Sequence, residues 1–374
     1  MTQDLLYTEI ETELRSSVRA LLGHRCSAEA VLARCESPEP YDTGLWRALA
    51  ADLGTAGLQV PEDLGGAGAS LRETAVVMEE LGRAAAPTPY LGHAVLATTA
   101  LLACDTPAAR ETLAALAAGT RTGTLAVPLP SAPGFAFPGT VLPGPDGTLT
   151  GRVTSVADTP GADVLVVPAA GPDGPELHVV DLASAGVTVE PRTSLDLTRP
   201  VAGVTLDGAA GRRVDAPGGA ERALDRALLT GAGLLASEQL GLAEWCLEST
   251  VGYLKERRQF GRPVGSFQAV KHRLADVWLA VAGARAAARN AVDALATGSG
   301  DAAVAVAVAQ SHCAETAVRA AEECVQLHGG IGMTWELPAH LYLKRAKADQ
   351  IALGAPGRHR ETLARLVDLP APGR

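Results

Sequence analysis

Aromatic residues are scarce in this 374-residue chain: phenylalanine, tryptophan and tyrosine make up 3 % of it, whereas hydrophobic residues make up 47 %. A core with so few rings must be filled mainly by alanine, valine and leucine, which suits closely packed helices. Positive charge is not in excess either, because 42 acidic residues outnumber 32 lysines and arginines and leave a net charge of −10. That balance argues against nonspecific nucleic-acid binding, which requires a basic surface.

Paired cysteine motifs are also absent. The six cysteines are scattered along the chain, at Cys26, Cys35, Cys104, Cys246, Cys313 and Cys324. None forms a CxxC pair, so we expect buried thiols in a reducing compartment and no disulfide framework. The HxxxH and HExxH spacings are missing too, and we therefore expect no metal site.

Long apolar runs are lacking as well. No stretch of about 18 apolar residues is free of polar interruption, so we expect no membrane span. The first residues, MTQDLLYTEIETEL, are acidic and amphipathic, unlike a signal peptide. The alanine-rich segment 301–321 contains Gln, His, Glu and Arg, which favours a buried helix of a cytoplasmic protein.

Hydrophobic periodicity divides the chain into three blocks. Residues 1–118 show helical spacing, for example at Leu5, Ile10, Leu14, Val18 and Leu21. Residues 119–215 are rich in proline and glycine, and short β-like runs stand there between turn clusters such as 143-PGPDG-147. Those runs are 123–127, 162–169, 176–182, 187–190 and 203–207. Because no helix alternates with them, a small antiparallel β domain is expected rather than a parallel sheet.

The third block, residues 216–374, returns to helical patterns with short connections, which favours an antiparallel bundle. We predict helices at about 219–256, 265–297, 301–328 and 336–351, followed by a short one near 357–367. The predicted fold class is therefore α+β, with an N-terminal all-α domain, a central antiparallel β domain and a C-terminal four-helix bundle.

The segment 255-KERRQFGRPVGSFQAVKH-272 gathers positive charge in an acidic chain. Arg257 and Arg258 follow a predicted helix, and their fork geometry suits phosphate. Gly261 and Gly265 would let the backbone approach a ligand closely. The structural alternative is that the basic residues complement the helix dipole and the glycines form turns.

The segment 325-VQLHGGIGMTWELPAHLYLKRAKADQ-350 contains a second candidate site. A predicted helix ends at Gly329 and Gly330, where positive φ is comfortable only for glycine. By itself this segment is better explained by a helix stop with a packed hydrophobic loop.

Together, 256-ERRQFG-261 with 265-GSFQ-268 and 326-QLHGGIG-332 resemble the two flavin-contacting segments of the acyl-CoA dehydrogenase family. The resemblance covers nearly the whole chain. It implies an FAD that lies between subunits, contacted by Arg257, Gln259, Phe260 and Gln268 of one subunit and by Gln326, Gly329 and Gly330 of its neighbour. It also implies an oligomer, usually a dimer of dimers, and an electron acceptor such as an electron-transfer flavoprotein.

The resemblance further implies α,β-dehydrogenation of an acyl thioester carried by CoA or by a carrier protein. A carboxylate takes the α proton while hydride leaves the β carbon for the flavin. In 346-AKADQIALG-354, however, the position of the family's catalytic glutamate is Leu353, whose backbone N–H could still polarise the thioester carbonyl. The alternative base position of some members corresponds to Gly231. The family's flavin-facing loops are replaced by 124-TLAVPLPSAPG-134 and 153-VTSVADTPGAD-163.

Glu238 is the remaining candidate for the base, with Asp349 as a weaker one. Glu238 follows Gly231 by two helical turns and so shares its face. It could instead be a structural partner of an arginine or a backbone donor across the bundle. Three hypotheses stay open: an active dehydrogenase with a relocated base, a degenerate flavin-contacting subunit of a heteromeric dehydrogenase, and a flavoprotein repurposed for a tailoring reaction.

Overall fold

The computed structural model describes residues 5–39 and 41–370. The α-helices are α1 (Glu9–Arg25), α2 (Ala28–Cys35), α3 (Thr43–Arg47), α4 (Leu71–Arg83), α5 (Thr98–Leu102), α6 (Pro107–Ala117), α7 (Ala220–Glu256), α8 (Gln268–Ala296), α9 (Ala302–Leu327), α10 (Ala339–Ile351) and α11 (Pro356–Leu366). The strands are β1 (Gly123–Leu125), β2 (Val141–Pro143), β3 (Thr148–Ala157), β4 (Val164–Gly171), β5 (Gly174–Asp181), β6 (Val187–Arg192), β7 (Val201–Ala210), β8 (Arg212–Arg213), β9 (Arg258–Gln259) and β10 (Arg262–Pro263). Helices, a sheet region and a second set of helices therefore follow one another, which confirms the predicted fold class.

The chain divides into two compact units that interleave along the sequence. The helical unit comprises residues 1–31, 75–86 and 233–374, and the second unit comprises 32–74 and 87–232. The predicted domain borders near residues 118 and 215 stay a prediction.

In the second unit, two four-stranded sheets enclose the core. Their strand orders are β1-β4-β5-β8 and β2-β3-β7-β6. Neighbouring strands are antiparallel except β1 and β4, which pair in parallel with Gly123 opposite Val164. The core consists of small aliphatic side chains, as the shortage of rings predicts. The sequence did not reveal β3, because Thr148–Ala157 mixes threonine, glycine and arginine and has no clean apolar alternation.

In the helical unit, the observed helices α7 to α11 lie within a few residues of the predicted ones. Small side chains allow close packing between these helices. At Gly233 of α7, for example, a Cβ would lie 2.4 Å from a methyl carbon of Leu295 and 3.2 Å from one of Val306. The small residues around position 233 are thus explained by helix packing, and all residues from 231 to 240 are buried.

The predicted apolar stripe of α1 is partly wrong. Ile10 is 70 % exposed, whereas Glu11 is buried together with Val18 and Leu22. Glu11 is turned inward because its carboxylate accepts the backbone N–H of Thr8 and the Thr8 hydroxyl accepts the N–H of Glu11, which completes a capping box. A local capping bond thus overrides the apolar periodicity.

Among residues 5–39 and 41–370, no helix is long and apolar enough to cross a membrane. Within the same residues, no group of three or more His, Cys, Asp and Glu side chains could hold a metal ion.

Candidate functional site

The basic segment begins where α7 ends. The strands β9 and β10 form a short hairpin in which Arg262 pairs with Gln259. Its turn residues, Phe260 and Gly261, have φ of 50° and 76°. Glycine adopts this conformation freely, whereas the phenylalanine is strained. Phe260 is nevertheless 90 % exposed, so packing against the rest of the chain does not explain its presence.

Gly265 follows the hairpin and has a different role from the predicted one. A Cβ there would lie 3.0 Å from the Leu254 carbonyl oxygen, so the missing side chain lets the loop pack on the end of α7. Close approach of a ligand is not needed to explain this glycine.

The second segment begins where α9 ends. His328 caps the helix, and Gly329 follows with φ of 64°, which confirms the predicted glycine stop. Gly332 is required by close packing, because a Cβ would lie 2.1 Å from the Val325 carbonyl oxygen. Gly330 has neither constraint: apart from its chain neighbours, no described residue lies within 4 Å of a Cβ built there, and the glycine is exposed.

The two segments line one open cavity of about 670 Å³ within the helical unit. Its lining residues are Tyr253, Leu254, Arg257, Gln259, Val264, Arg273, Gln326, Leu327, His328, Gly329, Gly330 and Ile331. Arg257, Gln259 and the diglycine segment thus line the same cavity of one chain. That they contact one FAD from two different subunits stays a prediction.

The predicted cofactor-contacting residues are not all in that cavity. Arg257, Gln259, Gln326, Gly329 and Gly330 line it, whereas Phe260 and Gln268 are exposed outside it. Phe260 lies edge-to-face with Phe267, and the Arg262 guanidinium lies 3.8 Å from the centre of the Phe267 ring.

Three polar residues of the cavity were not among the predicted site residues. Tyr253 lies one helical turn before Arg257 and shares its face, a spacing that could have revealed it. Arg273 forms a two-bonded ion pair with Glu323, at 2.8 and 2.9 Å, which fixes the cavity wall between α8 and α9. His328 looks in the sequence like an ordinary helix-end residue, and only the fold brings it beside Tyr253.

His328 has close neighbours in the helical core. Its ring stacks on Tyr253, with centroids 4.5 Å apart, and its Nδ1 lies 2.7 Å from the Cys324 carbonyl oxygen and 3.7 Å from the Cys324 sulfur. Burial raises the pKa of Cys246 well above its usual value, whereas the hydrogen bond from Cys246 lowers the pKa of Cys324 to about 5. Burial lowers the pKa of His328, but its contacts with Cys324 outweigh that effect and raise it.

The chemistry of the cavity fits a diphosphate. Arg257 is exposed and, among the residues the structure describes, makes no ion pair with a carboxylate. A fixed positive charge, a glutamine amide and an open glycine backbone are the donors that phosphate groups require. The pyrophosphate of an FAD molecule is therefore compatible with the residues present.

Glu238 lies deep in the helical unit, in an ion pair. Its Oε1 accepts the Arg345 Nη1–H at 2.8 Å, and both side chains are 3 % exposed. The second Arg345 nitrogen donates to the Ala86 carbonyl oxygen at 3.1 Å. The helices approach closely here, because a Cβ at Gly82 would lie 2.1 Å from the Glu238 carbonyl oxygen.

Leu353 follows α10 in an unusual backbone conformation. It is fully buried and has φ of 52°, and its carbonyl oxygen lies 2.9 Å from Nε2 of His359. Asp349, one turn earlier, is also fully buried, and its carbonyl oxygen accepts the Gln239 side-chain amide at 3.1 Å.

In the second unit, polar residues of the segments 124–134 and 153–163 form hydrogen bonds within that unit. Asp158 accepts hydrogen bonds from the Tyr41 hydroxyl at 2.5 Å and from the Gly92 backbone N–H at 2.8 Å. The Thr124 hydroxyl donates to the Ala157 carbonyl oxygen at 2.8 Å. These polar groups stabilise the β region itself.

Sequence and structure comparisons agree with these observations. The family model "Acyl-CoA dehydrogenase, C-terminal domain" matches residues 218–367, and "Acyl-CoA dehydrogenase, N-terminal domain" matches 8–120. The chain is 40 % identical to the acyl-CoA dehydrogenase IpdE2 of Mycolicibacterium smegmatis over 94 % of its own length and 96 % of that protein.

Two solved structures are similar as well. A variant of the Tcur3481-Tcur3483 steroid ACAD is 34 % identical with a TM-score of 0.86, covering 96 % of this chain and 98 % of that one. The ChsE4-ChsE5 complex of Mycobacterium tuberculosis is 31 % identical with a TM-score of 0.87, covering 99 % and 100 %. The family models, the curated relative and both structures indicate the same assignment: this chain belongs to the acyl-CoA dehydrogenase family of oxidoreductases.

Proposed function

We propose that the chain is the flavin-contacting, base-lacking subunit of a heteromeric acyl-CoA dehydrogenase whose partner subunit supplies the catalytic carboxylate. The observation that carries this proposal is the Glu238–Arg345 pair. The carboxylate that could replace the missing base is bound to a guanidinium at 2.8 Å in the buried core. The usual base position is Leu353, which has no proton acceptor on its side chain.

The reaction makes a paired carboxylate a poor base. The α proton of a thioester is weakly acidic. The catalytic carboxylate must therefore reach this proton and accept it without first breaking a stronger interaction with another group. Withdrawing Glu238 from Arg345 would break a buried ion pair and its hydrogen bond, and breaking such a pair costs about 3–5 kcal/mol. A carboxylate with this cost does not substitute for one that stands free at the substrate.

The cavity supports a role in cofactor binding. We infer that Arg257 and Gln259, with Gln326 and the backbone of Gly329 and Gly330, hold the pyrophosphate half of FAD. When bound, FAD supplies the acceptor for the hydride that leaves the β carbon. Because these residues are exposed where α7 and α9 end, they would contribute to a cofactor shared with a neighbouring subunit.

The partner is proposed from the comparisons and from the surface of α8. The ChsE4-ChsE5 neighbour is a complex of two differently named chains. In this chain, Trp278 and Leu279 of α8 are 62 % and 67 % exposed, although such side chains are usually covered. We infer that this face contacts the sister subunit in a dimer of dimers, and that electrons leave the reduced flavin for an electron-transfer flavoprotein.

One preparation tests the function. The chain is purified alone and co-expressed with a sister acyl-CoA dehydrogenase chain that carries the glutamate, and acyl-CoA is added to each without oxygen. We expect bleaching of the oxidised flavin band only with the sister chain, and its loss when the sister's glutamate is changed to glutamine. Bleaching by the chain alone, abolished by Glu238→Gln, would overturn the proposal in favour of a relocated base. Bound flavin that no acyl thioester reduces would indicate a repurposed flavoprotein instead.

A gain-of-function variant provides a second arm. Leu353→Glu restores a carboxylate at the family's base position, and Leu353→Gln is its matched control without the charge. If the chain contributes a complete flavin and substrate site, Leu353→Glu gains acyl-CoA-dependent flavin reduction without the sister chain and Leu353→Gln does not. If the site is completed by the sister chain, neither variant does.

The acyl group is proposed to be bulky, because a neighbour with 34 % identity is named a steroid ACAD. The small residues near position 233 give no support, since helix packing explains them. A panel of CoA thioesters with short linear, branched and polycyclic acyl groups, and the same groups on a carrier protein, tests the substrate. Preference for short linear chains would contradict this part of the proposal.

A further inference from the structure

The cavity is built from two segments that lie far apart in the sequence, and something must set the distance between them. Arg257 follows α7, and Gly329 follows α9. The contact that joins the two helix ends is the stack of Tyr253 on His328, with an interplanar angle of 26°. Both rings line the cavity.

Burial and the stack on Tyr253 restrict the His328 ring, and a hydrogen bond adds to them. Nδ1 must carry the proton, because a carbonyl oxygen only accepts, and it donates to the Cys324 carbonyl oxygen at 2.7 Å. The contact with the Cys324 sulfur, at 3.7 Å, is longer and weaker. The residue is 4 % exposed, so the ring has little freedom to turn.

Each ring is linked directly to a cofactor-facing residue. The Arg257 backbone N–H donates to the Tyr253 carbonyl oxygen at 2.8 Å, and the Arg257 carbonyl oxygen accepts the Val264 N–H at 2.7 Å. On the other side, His328 directly precedes Gly329, whose left-handed backbone begins the diglycine turn. A displacement of either ring therefore moves the arginine relative to the glycines.

We propose that His328 is a positioning residue for the cofactor site, acting through its stack on Tyr253 to set the spacing between Arg257 and the backbone of Gly329 and Gly330. The proposal rests on the proposed function, since the ligand at this spacing is the diphosphate of FAD. Donors from two separate segments bind one diphosphate together only when their separation matches its length, so a change in that separation weakens binding.

The experiment measures dissociation constants of FAD and of ADP, which represents the adenosine diphosphate half, with the chain assembled with its sister subunit. The variants are His328→Ala, which removes both contacts, and His328→Phe, which keeps the stack but not the hydrogen bond. We expect His328→Ala to weaken both ligands about tenfold or more, and His328→Phe to remain within about threefold of wild type.

A double-mutant cycle separates positioning from direct contact. If both rings simply touched the ligand, the effects of Tyr253→Ala and His328→Ala would add. If they act as one unit, the double variant should bind little more weakly than either single variant. Tyr342→Leu is the control, because it breaks the coplanar stack with Trp245 at 3.5 Å, which is not part of this cavity. It should lower the melting temperature without changing the affinity for ADP.

The outcomes distinguish the two proposals. Wild-type affinity in His328→Ala, additive effects in the cycle, or a His328→Phe variant as weak as His328→Ala would overturn the positioning role and leave the proposed function intact. Failure of the wild-type assembly to bind either ligand would overturn both.

Discussion

Replacing Arg345 by methionine tests whether the Glu238 carboxylate serves stability or catalysis. Methionine fills a similar volume without charge, so the perturbation leaves the Glu238 carboxylate buried with 3 % of its side chain exposed and without its guanidinium. The reverse perturbation, Glu238→Leu, leaves the guanidinium without its carboxylate. The double variant removes both charges and places two apolar side chains against each other.

The magnitude follows from the distance. Two unit charges 2.8 Å apart attract by about 6 kcal/mol at an effective dielectric constant of about 20, and the cost of removing both from water offsets much of this. Losing one partner of such a pair destabilises proteins by about 3–5 kcal/mol, and the hydrogen bond from Arg345 to the Ala86 carbonyl oxygen adds about 1 kcal/mol. We therefore expect Glu238→Leu to lower the free energy of unfolding by about 4 kcal/mol and Arg345→Met, which also loses the bond to Ala86, by about 5 kcal/mol. The double variant should lower it by about 2 kcal/mol or less.

Urea unfolding of all four proteins measures these differences and gives a coupling energy for the pair. A second assay compares turnover of the assembled enzyme with wild-type subunit and with the double variant. Turnover per bound flavin should change by less than about fivefold, because the proposed base is on the sister chain. Removing a general base lowers rates by about 10²–10⁴.

Two results would refute the reasoning. A coupling energy below about 1 kcal/mol would show that Arg345 does not stabilise the fold through its ion pair with Glu238. A double variant that folds stably but loses turnover a thousandfold would identify Glu238 as the base.

Three further predictions concern stability. Arg15→Met should lower the free energy of unfolding by about 2–4 kcal/mol in urea titrations, because this guanidinium binds the two buried carboxylates at the end of α4 at 2.7 and 2.8 Å. Burial lowers the pKa of His93 to about 4, whereas the same histidine in the unfolded chain has a pKa of about 6.5. As the pH falls, the unfolded chain therefore binds the proton first. The contribution of His93 to the free energy of unfolding is complete above pH 6.5 and falls by about 3 kcal/mol as the pH drops to 4. Urea midpoints of His93→Gln measured across that range should show a flatter slope than wild type, and equal slopes would contradict this assignment. Gly241→Ala should cost more than about 3 kcal/mol in a thermal or urea melt, since its Cβ would lie 1.9 Å from the Glu79 carbonyl oxygen, whereas the matched Gly252→Ala, with nothing within 4 Å, should stabilise α7 by about 1 kcal/mol.

Secondary-structure elements that depend on neighbouring residues could be predicted from the amino-acid sequence. Helices α7 to α11 were predicted within a few residues because apolar periodicity, glycine stops and short loops are properties of neighbouring residues. The glycine stop at Gly329 belongs to the same class. The strand β3 was missed because Thr148–Ala157 has no clean apolar alternation, and the inward turn of Glu11 was missed because a capping bond outweighed the apolar stripe.

Tertiary packing sets which residues that are distant in the sequence come together in one site. The basic hairpin and the diglycine turn are separated by more than sixty positions in the sequence, and packing of α7 beside α9 brings them to one cavity through Tyr253 and His328. Glu238 could be interpreted from the sequence as a base or as the structural partner of an arginine, and the fold places the Arg345 guanidinium 2.8 Å from its carboxylate. The reason is physical: the sequence states which groups are charged, but the free energy of a buried charge depends on what the fold places beside it.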